Sequence, residues 1–173
     1  DRVVVAGSMG PVGEFIAPLG TLSPEEAADA FAIQAEALAA GGVDVLWIET
    51  MAAIEEVTAA VEGARRGAPG LPLVTTMTFD SHGRTMMGTW PKDAAPALVE
   101  LGAVAIGANC GTGPAEIETA MEAMHAAVPG AILVAKGNAG IPRFEGVSTV
   151  YDTTPEDSAR HARRAVELGA RIV

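Results

Sequence analysis

The chain has 173 residues and one cysteine, Cys110. A single cysteine excludes an internal disulfide framework and fits a reducing compartment, so a cytoplasmic location is expected. Basic residues are also scarce: 11 Lys and Arg stand against 22 Asp and Glu, a formal net charge of -11. Such a surface repels phosphates, which excludes a nucleic-acid-binding face. Although 49% of the residues are hydrophobic, no apolar run approaches the roughly 20 residues needed to span a bilayer. No basic region leads into an apolar core and cleavage site, so neither a signal peptide nor a membrane partner is expected. Hairpin signals are absent as well.

What remains is a repeated strand-and-helix pattern. A strand near Arg2–Ala6 runs into the glycine-rich segment Gly7-Ser8-Met9-Gly10-Pro11, whose spacing matches neither a Walker loop nor a dinucleotide fingerprint. Ser23-Pro24-Glu25-Glu26 is a helix start in which Ser23 caps, Pro24 takes the first helical position and Glu26 completes a capping box. Ala27, Phe31, Ala35 and Leu38 then recur at helical spacing until Gly41-Gly42 ends the helix. Strands follow over Val43–Ile48, Pro72–Phe79, Ala103–Ile106 and Ala131–Ala135, and Ile172-Val173 opens a sixth. Between them the spacing predicts helices carrying Ile54, Val57 and Val61, then one over Lys92–Leu101. A helix over Pro114–Ala127 carries a core stripe of Ile117, Met121 and Met124. After a loop containing Tyr151, Thr154-Pro155-Glu156-Asp157 repeats the capping signature of Ser23.

Apolar strands joined by helices mean a parallel sheet, either open and doubly wound or part of an eight-stranded barrel. Length suits one domain with a sizeable core over residues 1–173. The chain starts almost within one strand and stops as another opens, so it is expected to be an internal piece of a longer protein.

The polar clusters all follow strands, at the edge where parallel α/β proteins bind ligands. Glu49-Thr50-Met51 stands after the second strand and Asp80-Ser81-His82-Gly83-Arg84 after the third. Asn109-Cys110-Gly111-Thr112-Gly113 follows the fourth, and Lys136-Gly137-Asn138-Ala139-Gly140 the fifth. A lone cysteine is commonly a small buried hydrophobe, but this one sits on a glycine-rich turn into a helix.

Taken together these phrases resemble the homocysteine S-methyltransferases, the family that includes the homocysteine-binding barrel of methionine synthase and betaine–homocysteine methyltransferase. The matching pieces are Gly7-Ser8-Met9-Gly10-Pro11, Ile48-Glu49-Thr50-Met51, Met77-Thr78-Phe79-Asp80 with Gly83-Arg84, Gly107-Ala108-Asn109-Cys110, and Gly137-Asn138-Ala139-Gly140-Ile141-Pro142. They run through nearly the whole chain in the family's order. The resemblance implies a (β/α)8 TIM barrel, here incomplete and covering roughly the third to eighth strands. It implies transfer of a methyl group to homocysteine, with zinc held by three cysteines.

Only the cysteine matching Cys110 is in this chain; two adjacent ones are expected just beyond Val173. Zinc would keep the substrate thiol as its nucleophilic thiolate at neutral pH. By resemblance Cys110 is the metal ligand and catalytic residue, and Glu49 holds the substrate ammonium. Asn109 and Asn138 are substrate-binding or loop-orienting, and Ser8 and Met9 contact substrate chiefly through backbone. His125 and His161 fall in helices and read as solvated, and His82 as a turn residue; none is expected to bind metal. The implied partners are homocysteine and a small-molecule or cobalamin-bound methyl donor, with homo-oligomerisation left open. Two alternatives stand: another barrel enzyme of aldolase or pterin-binding transferase type, using Glu49 or a Schiff-base Lys136, or a fragment without activity of its own.

Overall fold

The computed structural model describes residues 3–80 and 82–173. Arg2, at the start of the first predicted strand, and Ser81 of the polar turn lie outside the described residues. The elements are β1 (Ala6–Met9), α1 (Pro24–Ala40), β2 (Val45–Met51), α2 (Ile54–Gly67), β3 (Leu73–Met77), α3 (Pro91–Glu100), β4 (Ala105–Cys110), α4 (Pro114–Ala127), β5 (Leu133–Gly137), β6 (Arg143–Glu145), β7 (Ser148–Val150), α5 (Pro155–Glu167) and β8 (Ala170–Ile172).

Six strands form one sheet in the order β1-β2-β3-β4-β5-β8, and every neighbouring pair is parallel. Each strand lies beside its predecessor, with no point at which the order reverses. That is barrel winding; a doubly wound sheet reverses at its switch point.

The pleat sorts the side chains by face. Val45, Val74, Ala105 and Val134 form one small cluster with Trp47 and Ile172. Residues one step along the strands, Leu46, Ile48, Leu73, Met77, Ile106, Ala108, Leu133 and Ala135, join Phe31, Val57, Leu98, Ile117, Met121 and Met124 of the helices in the main core. One face of the sheet is therefore the inner wall and the other carries the helices. Glu49, Asn109 and Lys136 share the phase of Trp47, Ala105 and Val134, which puts them on the inner wall at its carboxyl-terminal rim.

The helix starts form as the sequence predicts. Ser23 Oγ accepts from the Glu26 amide at 3.2 Å while Glu26 accepts from the Ser23 amide at 3.0 Å. Thr154 and Asp157 repeat the box at α5.

Several expectations are corrected. Strands β2 and β4 begin two residues later than the apolar runs suggest, because the first residues of those runs cap the preceding helices. The Val43 amide donates to Leu38 O and the Gly42 amide to Ala39 O, and Ala103 and Gly102 repeat the arrangement on Leu98 and Val99. This is the paired closing turn of a helix, with glycine in the left-handed position. The first strand lies at Ala6–Met9, so Gly7 is inside it. A Cβ there would meet Leu38 at 3.1 Å, so the glycine admits α1 against the strand. The loop expected around Tyr151 contains an antiparallel hairpin, β6–β7, closed by Gly146-Val147 with Gly146 at φ 63°. Glycine at the first central position suits a tight hairpin turn. His161, read as solvated, is buried between helices, its Nδ1 3.0 Å from Glu118 Oε1.

Candidate active site

Asn109 organises the rim. It is 1% exposed, and both ends of its amide are engaged. Its Oδ1 accepts from the Thr50 amide at 2.9 Å and from the Thr76 hydroxyl at 2.7 Å. Its Nδ2 donates to Thr50 Oγ1 at 2.7 Å and to Cys110 Sγ at 3.2 Å. The Thr50 amide can only donate, which fixes which end of the side chain is oxygen. Three adjacent strands are thus tied through one side chain, with the sulfur as one of its partners.

That network holds two residues in an unfavourable backbone conformation. Thr50 and Cys110 have φ of 65° and 62°; among the described residues only His82 is another non-glycine with positive φ. For a β-branched residue such as Thr50 the left-handed region is a true outlier, costing on the order of 1–3 kcal/mol. Both strained residues meet at the rim, with Thr50 Oγ1 3.9 Å from Cys110 Sγ. Strain of this kind collects where the surrounding structure must set a side chain's position.

Next to the sulfur lies a charged group. Glu49 accepts from the Ser8 hydroxyl at 2.6 Å and from Lys136 Nζ at 2.6 Å. Burial acts to raise the Glu49 pKa, but the bonds from Lys136 and Ser8 and the lysine's charge outweigh it. The carboxyl is held below its ordinary value and is ionised at neutral pH. Lys136 Nζ also lies 5.8 Å from the centre of the Trp47 ring.

Glu49, Thr50, Asn109, Cys110, Lys136, Gly137 and Asn138 line one cavity of about 220 Å³. Asn138 closes its far side: its amide donates to Cys110 O and its Nδ2 to Gly111 O, both at 3.3 Å. Thr50 also borders a larger, mostly apolar cavity of about 550 Å³ under the loop from Pro11 to Leu19. There Glu56 accepts from the Val12 amide at 2.9 Å, and burial raises its pKa despite that bond.

The structure therefore brings Glu49, Asn109, Cys110 and Asn138 of the predicted site to one cavity, with Ser8 behind Glu49. Met9 is different: its side chain is fully buried in the main core. Sequence reading missed Thr50 and Thr76 as partners of Asn109, and Lys136 as partner of Glu49. His82 is exposed in its turn and His125 on α4. Among the described residues no group of three or more His, Cys, Asp or Glu is placed to share a metal ion.

The chain is 31% identical to methionine synthase of Mycobacterium leprae over 176 aligned residues, and equally to that of Mycobacterium tuberculosis. In each case 98% of this chain is covered but only 14% of the relative, so the chain spans a small part of their length. Among solved structures, the apo form of the homocysteine methyltransferase MmuM from Escherichia coli superposes with a TM-score of 0.76 at 23% identity, covering 98% of this chain and 56% of that one. Its metallated form gives 0.70 at 25% identity, over 98% and 55%. These likenesses bear out the barrel fold read from the strand order. The family model for homocysteine S-methyltransferase matches residues 1–173. The chain belongs to the homocysteine S-methyltransferase family.

Proposed function

We propose that this chain carries the homocysteine site of a zinc-dependent methyltransferase, which transfers a methyl group to the substrate sulfur and forms methionine. One observation carries the reading. A thiol, an ionised carboxylate and an ammonium share a cavity at the carboxyl-terminal rim of a parallel barrel sheet, where such folds place their chemistry. The family membership and the metallated relative support it.

The metal needs donors that this chain holds only in part. Cys110 fits as one soft ligand, since its sulfur lines the cavity and is oriented by the Asn109 amide. The other two cysteine ligands are placed outside this chain. When bound, such an ion supplies a fourth position that keeps the substrate sulfur as thiolate at neutral pH. The open edges at β1 and β8 are the places where further strands would complete the barrel.

The chain's own residues do the positioning. Glu49 takes the substrate ammonium, with Ser8 fixing the carboxylate's orientation. Asn109 sets the direction of the Cys110 sulfur and the position of Thr50 between the two cavities. Asn138 anchors the turn after Cys110 to β5. The larger cavity across Thr50 is where a methyl donor would meet the thiolate; the sulfur lone pair then attacks the methyl carbon as the donor takes the bonding electrons. Lys136 in this site is an ion-pair partner of Glu49, whereas a Schiff base requires a free neutral amine; this disfavours the aldolase-type alternative. We place the protein in the cytoplasm; none of its described helices is long and apolar enough to cross a membrane.

The test is direct. The full-length protein, supplied with zinc, homocysteine and in turn a sulfonium, betaine or methyl-cobalamin donor, should form methionine with one of them. Absence of methionine with every donor, together with no binding of homocysteine by calorimetry, would overturn the reading.

A further inference from the structure

We infer that Asn109 determines which sulfur is methylated: its side-chain N–H engages the Cys110 sulfur and lowers that sulfur's nucleophilicity, so the protein's own thiolate is spared while the substrate thiolate reacts. The inference rests on the functional reading above and adds to it how the site is protected from its own methyl donor.

A thiolate that serves as a metal ligand is also a nucleophile, and Cys110 lies where a methyl donor would arrive. Its sulfur lines the small cavity, and Thr50, whose Oγ1 is 3.9 Å from that sulfur, borders the larger one. Attack by Cys110 is the same chemical step as attack by the substrate. A sulfur lone pair forms the new bond to the methyl carbon, and the donor departs with the electrons of the bond that breaks. The product is S-methylcysteine, a neutral thioether without the charge that makes a thiolate a ligand. The new carbon–sulfur bond is stable in water, so one such event ends the site.

The Asn109 amide is locked so that one donor faces this sulfur. Its oxygen accepts from the Thr50 amide at 2.9 Å and from the Thr76 hydroxyl at 2.7 Å. An amide nitrogen carries two N–H donors. One goes to Thr50 Oγ1 at 2.7 Å and the other to Cys110 Sγ at 3.2 Å. The side chain is buried, and turning it away from the sulfur would break the other three bonds as well. A hydrogen bond to an ionised sulfur must weaken as that sulfur passes its charge to carbon, which slows the attack. Both hydrogens of the Asn109 amide are spent within the chain, so a substrate sulfur entering the cavity receives no such bond from it. The asymmetry favours the substrate thiolate over Cys110.

Iodomethane is the probe, because it is small and needs no recognition. Zinc-loaded full-length protein is treated with it in the absence of homocysteine, and methylation of Cys110 is followed by peptide mass spectrometry, with the other cysteine ligands as internal reference. Asn109→Asp keeps both acceptor bonds and deletes the N–H donors, so its fold and zinc content should match the parent. A hydrogen bond to a charged acceptor is worth roughly 10- to 150-fold, so Cys110 should be methylated about tenfold faster or more in the Asp variant. The added charge acts on every sulfur around the ion, and the internal reference corrects for it. In the parent loaded with an NMR-active cadmium isotope, scalar coupling should run from the metal through the Cys110 sulfur to an Asn109 side-chain proton. An Asp variant whose Cys110 reacts at the parent's rate, or whose cysteines all accelerate alike, would overturn the inference, as would a cadmium-loaded parent without the coupling. Failure of the parent to hold zinc would instead overturn the functional reading, and this assignment with it.

Discussion

Replacing Asn109 with alanine should unsettle the site more than any other single change at the rim. The side chain is almost fully buried and serves four partners. Alanine leaves the Thr50 amide and the Thr76 hydroxyl without their acceptor, and Thr76 is itself 0% exposed. Each buried donor so orphaned costs about 1–3 kcal/mol. The missing carboxamide adds a small cavity, on the order of 1 kcal/mol. The positive φ of Thr50 also loses the contacts that hold it. The sum is about 3–7 kcal/mol, a large part of the roughly 5–15 kcal/mol that stabilises a domain.

Urea denaturation followed by circular dichroism measures the loss, and hydrogen exchange at the Thr50 amide localises it. Thr76→Val, which removes one donor and leaves the Thr50 bond to Asn109 intact, should cost only about 1 kcal/mol. If Asn109→Ala lies within 1 kcal/mol of the parent and the Thr50 amide keeps its protection, the network does not hold the rim as described.

Two further outcomes follow from the same geometry. Glu49→Gln should weaken homocysteine binding about 10- to 150-fold, the equivalent of a charge-assisted hydrogen bond of roughly 1.5–3 kcal/mol, with zinc retained; equilibrium dialysis and metal analysis check both halves. At α5, hydrogen bonds from the Thr154 amide and hydroxyl, with Arg160 nearby, lower the Asp157 pKa from 3.8 to about 2. A carboxyl held low in the folded state contributes stability that is complete above its unfolded value and lost as pH falls through the folded one. The start of α5 should therefore loosen between about pH 4 and 2, and Asp157→Asn should loosen it already at neutral pH, as read by hydrogen exchange at residues 155–158.

The sequence made the fold legible wherever the signal was local. Ser23 with Glu26 and Thr154 with Asp157 mark helix starts by chemistry that needs only three residues of context. Ile117, Met121 and Met124 are buried as their spacing predicts. Strand starts were less legible, because Val43 and Ala103 are apolar for a reason other than pairing: they close the preceding helix. The β6–β7 hairpin was hidden because its strands are three residues long, too short to show alternation. Burial of His161 could have been found: with Ala165 and Leu168 it forms an i, i+4, i+7 stripe whose other members are apolar.

At the site, the residues with a family likeness were readable one by one, but the bonds among them were not. Thr50, Thr76 and Asn109 are 26 to 59 positions apart in the chain and meet only through the register of three parallel strands. The Lys136–Glu49 pair likewise spans the inner wall, with 87 positions between its partners. Positive φ at Thr50 leaves no trace in residue type, since threonine is a poor choice there by any local rule.

The central claim is that the Cys110 sulfur is a metal ligand in the methyl-transfer site, and metal content in a Cys110→Ala variant of the full-length protein tests it most directly. Zinc per chain by atomic absorption after dialysis, with methionine formation measured on the same sample, should fall together from stoichiometric to background. Two remaining thiolates do not hold the ion against water and chelator. Were Cys110 only a small hydrophobe, alanine would cost on the order of 1 kcal/mol of stability and little else. A zinc-replete, active Cys110→Ala protein would contradict the account.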